Sequence, residues 1–325
     1  MIRLAIVGSG HIARRHLEHF LEHPDDVTVT AVVDIAPENA QWLVDRTGAT
    51  FYPTVDAALP YIDAALVATP PNFRVEIIRS LATNGKAILC EKPMAGTVED
   101  AREIAQIVRE TGVPFMVGFM RRWHAPYADL KALVDGGELG RPLQFFRRRI
   151  GQVLPPEGGW RTSPAQLTGI AVESVSHDID LLRWLAGDVA FTGGEVVESR
   201  ADLPGYDDVV LATLRFANGA IGLLQVSWSS YINENAVGVF GTEASAVIDG
   251  AGMWTSERLR FGDAQAQDVE KRRYSEADAD EYGNAGQTVA FLALARGEVV
   301  DHPGVEDGLA TVEISHQILA SSHGR

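Results

Sequence analysis

Gly8-Ser9-Gly10-His11-Ile12-Ala13 is the stretch on which the fold of this 325-residue chain turns. Arg3-Leu4-Ala5-Ile6-Val7 before it is a short apolar run, suited to a buried parallel strand. From Ile12 to Phe20 the pattern turns helical, with Ile12, His16, Leu17 and Phe20 on one face. A second apolar run, Val27 to Val33, ends at Asp34. Strand, glycine turn, helix, strand and acid follow in that order, and the turn fits G-x-G-x-x-A, a form of the dinucleotide fingerprint. Gly8 permits the tight turn, Gly10 lets the backbone approach a pyrophosphate, and Ala13 lets the helix lie close on the strands. Backbone N–H groups at the helix start, from Ser9 through His11 and Ile12, then face the phosphates, where the helix dipole favours negative charge. Asp34 can accept hydrogen bonds from an adenosine ribose. Its charge repels a 2′-phosphate and Ile35 beside it supplies no cation, so NAD is expected over NADP.

The chain is long enough for two domains. A formal net charge of −16 disfavours nucleic acid and anionic membranes as partners, though not an anionic cofactor bound locally. One cysteine, Cys90, rules out an intramolecular disulfide and suits a reducing cytoplasm. No apolar stretch reaches the length of a membrane span, and the N-terminus enters a strand too soon for a signal peptide, so a cytoplasmic protein is expected. Arg147-Arg148-Arg149, a dense basic run, reads as a strand near a surface with alternate residues on opposite faces.

Apolar runs alternate with helical patterns up to residue 119. This predicts an α/β fold opening with a Rossmann domain over residues 1–119, a doubly wound parallel sheet with helices on both faces. Ligands of such sheets sit at the carboxyl ends of the strands. Gly8-Ser9-Gly10, Asp34, Thr69-Pro70-Pro71-Asn72 and Glu91-Lys92-Pro93 share that edge. Later runs include 209–216 and 220–228, joined around Asn218-Gly219, a strong hairpin signal. They predict an α+β domain with a large, mainly antiparallel sheet over residues 120–325, its C-terminal helix able to pack back on the first domain. That domain would bind substrate and build the oligomer.

Lys92 could donate hydrogen bonds to a substrate hydroxyl or carbonyl; a surface lysine pairing with Glu91 is the other reading of its position. Cys90 reads as a small buried residue. Glu173 and His177 stand four apart on a helix expected over 173–185 and so share a face. Imidazole titrates near neutrality, which suits proton transfer, and a carboxylate one turn away can fix its tautomer. Asp180 lies close to both, but the spacing matches no metal signature, and no metal is expected.

The motifs occur in the order seen in one family. Gly8-Ser9-Gly10-His11-Ile12-Ala13, Thr69-Pro70-Pro71, Glu91-Lys92-Pro93, Gly118-Phe119-Met120-Arg121-Arg122-Trp123, Trp160-Arg161 and the run from His177 to Leu185 resemble the glucose-fructose oxidoreductase/inositol dehydrogenase (Gfo/Idh/MocA) family. The stretch from Gly118 to Trp123 is most similar to the inositol 2-dehydrogenase branch. The resemblance implies an NAD-dependent dehydrogenase of a cyclic polyol or sugar. It places the hydroxyl-orienting lysine at Lys92 and the general base at His177. Glu173 stands where inositol dehydrogenases usually carry an aspartate. Trp160-Arg161 match a pair near cofactor and substrate, and Arg121, Tyr231 and Asn233 are further pocket candidates. Thr69, Pro70, Pro71, Asn72 and Glu91 are expected at the cofactor. A histidine common after the Thr-Pro motif is replaced by Arg74. The resemblance also implies a homodimer or homotetramer, paired through the second sheet. Two alternatives remain: a non-catalytic dinucleotide-binding regulator on the same fold, or a reductase of a keto-sugar or imine.

Overall fold

A computed structural model describes residues 1–154, 169–275 and 283–323. The chain divides into two compact units, Met1–Phe119 with Asn284–Val312, and Met120–Gly283 with Glu313–Arg325. Residues 284–312, read from sequence with the second domain, thus pack in the first unit.

The first unit opens with β1 (Ile2–Val7), α1 (His11–Leu21), β2 (Val27–Val33), α2 (Pro37–Thr47), β3 (Thr50–Tyr52), α3 (Val55–Ala58), β4 (Ala64–Val67), α4 (Arg74–Thr83), β5 (Ala87–Cys90), α5 (Val98–Thr111) and β6 (Phe115–Val117). The strands pair in the order β3-β2-β1-β4-β5-β6, every pair parallel. β4 and β5 are buried along their whole length, as a sheet covered on both faces requires. Between β1 and β4 the winding direction reverses, and this switch point is where doubly wound sheets bind ligands.

The second unit carries α6 (Ala125–Asp135), β7 (Pro142–Gln152), α7 (Gly169–Glu173), α8 (Ser176–Ala186), β8 (Val189–Val197), β9 (Val209–Phe216), β10 (Ile221–Ser227), β11 (Ser229–Gly241), β12 (Ala244–Gly250), β13 (Arg258–Asp263) and β14 (Val269–Arg273). Their order is β14-β13-β12-β11-β7-β10-β9-β8, antiparallel except for β7 beside β10. Burial alternates along β7 and β9. The inner face packs Phe145, Leu224, Val226, Val237 and Val239 in one core with Ile179 and Leu182 of α8. Phe146, Leu223 and Phe240 lie on the outer face.

The return segment brings α9 (Asn284–Ala295) against α1, with the Phe291 and Phe20 rings edge to face at 6.4 Å. It continues into α10 (Val305–His323), within which the unit boundary falls.

Two expectations need correction. Residues 173–185 do not form one helix: α7 ends at Glu173 and α8 starts at Ser176. The break lies at Ser174, whose carbonyl and hydroxyl both accept from Nη2 of Arg149, at 3.3 and 2.8 Å. The second correction concerns Arg147-Arg148-Arg149. Alternation holds, with Arg148 facing out, but Arg147 and Arg149 are 1% and 0% exposed, in the core rather than near a surface.

Candidate active site

The first unit gathers the cofactor candidates through its strand ends. Gly8 closes β1 by donating its N–H to Val33 O (2.8 Å), and its φ of +90° suits glycine. A Cβ at Gly8 would stand 2.9 Å from Thr69 N, so the turn lies against the loop after β4 with no room for a side chain. Gly10 begins α1 with no side-chain cap, and a Cβ there would meet nothing within 4 Å. Bare helix-start N–H groups facing open space fit a pyrophosphate. Asp34 follows β2. Its Oδ2 accepts the Ser9 N–H (2.9 Å) and its Oδ1 the Ala36 N–H (3.1 Å), which fixes the carboxylate beside the glycine turn. Ile35 is 96% exposed and Asn72 is exposed. The buried hydroxyls of Ser9 and Thr69 have no partner among the described residues. These features fit NAD.

The loop after β5 is Glu91-Lys92-Pro93, with a cis peptide before Pro93. Glu91 is buried. Its Oε1 meets His16 Nε2 at 2.7 Å and its Oε2 accepts the Lys92 N–H at 3.0 Å. Burial alone would raise the Glu91 carboxyl, but the hydrogen bond and charge of His16, with Lys92 and Arg74, hold it below the usual range. Its charge therefore anchors the Lys92 backbone and the fingerprint helix. Cys90 is buried, and desolvation pushes its thiol up to about 11, as expected of a packing residue.

In the second unit Glu173 ends α7 and His177 lies in the first turn of α8, both buried. Their relation is thus set by the turn between two helices, not by one helical face. The first turn of α7 is held by Asp207, whose Oδ2 accepts the Ala171 N–H at 2.8 Å. Burial, opposed by that bond and reinforced by Asp208 and Glu198, pushes the Asp207 carboxyl up to about 7 from 3.8. The folded state then binds this proton more tightly than the unfolded chain, so stability falls as pH climbs from about 4 to 7. Asp207→Asn keeps an acceptor for Ala171 and removes the charge. Its stability should match the native protein near pH 3.5 and exceed it at pH 8 by up to about 4 kcal/mol, with a correspondingly higher melting temperature; an equal difference at both values refutes the assignment.

Arg121, expected in the pocket, is buried and spends Nη1 on Asp178 Oδ1 at 2.5 Å. Arg147 Nε reaches the same oxygen (2.7 Å), and Arg149 holds Oδ2 through Nη2 (2.6 Å) and Nε (3.1 Å). Three guanidiniums share one buried carboxylate. Burial would raise Asp178, but Arg149, Arg121 and Arg147 keep it well below the carboxylate range. Burial first, then Arg121 and Arg147, pushes His124 down to about 4. Asp180 takes a fork from Arg122, at 2.5 and 3.1 Å. Tyr231 and Asn233 are exposed on an irregular part of β11, where the six residues from Ser229 to Glu234 span what β7 covers in three, from Gln152 to Ile150. Trp160 and Arg161 lie outside the described residues. Asp178 was not singled out from sequence. Its signal was the spacing of Arg147 and Arg149, two arginines on one strand face that need a buried acid.

Among the described residues no group of three or more His, Cys, Asp or Glu could hold a metal, and no helix is long and apolar enough to cross a membrane.

Residues 2–119 match the family model of oxidoreductases with an NAD-binding Rossmann fold, and residues 127–247 match the Gfo/Idh/MocA C-terminal domain. The chain is 30% identical over 255 residues to a scyllo-inositol 2-dehydrogenase (NAD(+)) of Bacillus subtilis, covering 76% of this chain and 73% of that one. It is 28% identical to a 2,7-anhydro-N-acetylneuraminate hydratase of Escherichia coli, covering 90% and 83%. Its fold matches a levoglucosan dehydrogenase in complex with NADH and levoglucosan at a TM-score of 0.87, 22% identity and 99% and 97% coverage. With both domain models matched and a 30% identical relative covered over most of its length, the chain belongs to the Gfo/Idh/MocA family of NAD-binding oxidoreductases.

Proposed function

We propose that the protein is an NAD-dependent dehydrogenase that removes a hydride from a ring hydroxyl carbon of a cyclic polyol or sugar. The observation that carries this reading is one sheet edge. The glycine turn, Asp34, the Thr69-Pro70-Pro71 loop and Glu91-Lys92-Pro93 follow β1, β2, β4 and β5, neighbouring strands of one parallel sheet. The inositol dehydrogenase among the relatives gives the substrate class. Bound NAD would supply the hydride acceptor. His177 takes the hydroxyl proton as general base. Lys92 donates a hydrogen bond to the same oxygen and steadies its developing negative charge. Glu173 orients the imidazole. Arg121, held by Asp178, shapes the pocket wall rather than binding substrate through a free fork.

Purified protein should reduce NAD with at least one member of a panel of inositols, pentoses, hexoses and anhydro-sugars, read at the NADH absorbance band. Tight NAD binding without turnover across the panel would favour the non-catalytic regulator. The hydratase relative favours a second reading, a net addition or loss of water; product formation without NADH accumulation would select it.

Asp34 decides between cofactors. A carboxylate about 4 Å from a 2′-phosphate costs roughly 4 kcal/mol at an effective dielectric near 20. The protein should prefer NAD, and Asp34→Ala should move the kcat/KM ratio about 10³-fold toward NADP; an unchanged ratio removes Asp34 from cofactor choice.

The reading includes a homo-oligomer in the cytoplasm. On the outer face of the second sheet Leu211, Ile221 and Phe240 are 48%, 49% and 37% exposed, an apolar patch suited to a second copy of the chain. A monomer mass by light scattering at micromolar concentration would remove that part.

A further inference from the structure

Arg74 opens α4, and its side chain is 3% exposed. The guanidinium is planar and carries five N–H donors in a fixed fork. Nε and Nη2 both donate to Thr69 O, at 3.0 and 2.5 Å. Nη1 donates to Glu91 O and to Pro93 O. One buried cation therefore ties the loop after β4 to the loop after β5. It holds the carbonyls on either side of Lys92, while Glu91 holds the Lys92 N–H from its carboxylate. An imidazole offers two ring nitrogens and could not span three carbonyls on two loops. A lysine would supply a point charge without the fork.

We propose that Arg74 is a positioning residue that sets the Lys92 turn and the Thr69-Pro70-Pro71 loop as one rigid unit, so that cofactor binding and the placement of the Lys92 ammonium are coupled through it. This rests on the dehydrogenase reading for the role of Lys92, and on the fold alone for the coupling of the two loops. Arg74 lies beneath the loops, donating to their backbone carbonyls. Removing it leaves Lys92 chemically intact and loosens where the ammonium is held. A misplacement of about 1 Å can cost 10²-fold in rate, which sets the expected scale.

The test compares Arg74→Ala, Arg74→Lys and the native full-length protein, with Arg79→Ala on the exposed side of the same helix as control. Three quantities are read: kcat with the best substrate of the panel, the NAD dissociation constant by calorimetry, and amide hydrogen exchange of residues 69–72 and 91–95. Arg74→Ala should lower kcat about 10²-fold and weaken NAD about tenfold. It should raise exchange in both loops together, with Arg74→Lys intermediate and Arg79→Ala like native. A lower melting temperature with native kcat, NAD affinity and loop exchange in the folded variant would make Arg74 a packing residue and overturn the proposal. Faster exchange in one loop only would overturn the coupling. If the native protein binds NAD and oxidises nothing, the dehydrogenase reading fails, and the coupling still stands or falls on affinity and exchange.

Discussion

His177→Ala is expected to slow turnover by about 10²–10⁴-fold while leaving NAD affinity near native. The imidazole is assigned the hydroxyl proton, and a methyl group cannot take it. The NAD-binding Rossmann model matches residues 2–119, which do not include His177, so the NAD dissociation constant should barely move. His177 is buried in the first turn of α8, beside the Asp178 cluster, so melting curves must accompany the kinetics. A folded variant that keeps native turnover removes His177 as the base. Glu173→Gln should cost less than His177→Ala, because glutamine still orients an imidazole by hydrogen bonding but no longer supports its charged form.

Asp178→Asn is expected to be the most destabilising single change described here. Asparagine keeps the shape of the side chain and removes the charge that Arg121, Arg147 and Arg149 share. Breaking a buried ionic cluster from one side leaves uncompensated charge and costs about 3–5 kcal/mol. At roughly 2–4 °C per kcal/mol for a domain of this size, the melting temperature should drop by roughly 6–20 °C. Arg148→Gln is the contrast. Arg148 lies between Arg147 and Arg149 in the chain, but its side chain is 43% exposed and pairs with Glu234 on the outer face. An exposed pair of this kind contributes about 0–1 kcal/mol. Similar losses for the two variants would show that the buried cluster carries no special share of the stability.

The parallel sheet was legible because its signals are local. A glycine turn, an apolar run and an acid at a strand end are each read within a few residues, and all recur in the structure between Ile2 and Asp34. Thr97 shows the same locality in the structure: it precedes α5, and its hydroxyl accepts the Asp100 N–H at 3.1 Å. What stayed hidden depends on distant partners. The break at Ser174 accompanies hydrogen bonds from an arginine on β7, and no pattern within residues 169–186 announces them. Arg147 and Arg149 read as surface residues because charge in a short window says nothing of a counter-charge that the chain supplies thirty-one and twenty-nine positions later. Arg74 was visible only as a departure from family habit; its three carbonyl partners come from two loops. β3, three residues long, falls below any periodicity.

Residues 284–312 are a late-arriving part of the first unit. Phe291 covers Phe20, Pro303 O accepts the Val117 N–H at 2.8 Å, and Glu306 grips Arg109 at 2.6 and 2.7 Å. During synthesis, at about 5–20 residues per second, the nucleotide-binding sheet would be made first and then wait for the whole second sheet to be translated before its own last helices emerged. A nascent chain stopped short of residue 284 would leave apolar faces of that sheet's helices open to water, a natural target for chaperones and a risk of aggregation that a domain folded from one continuous stretch does not run.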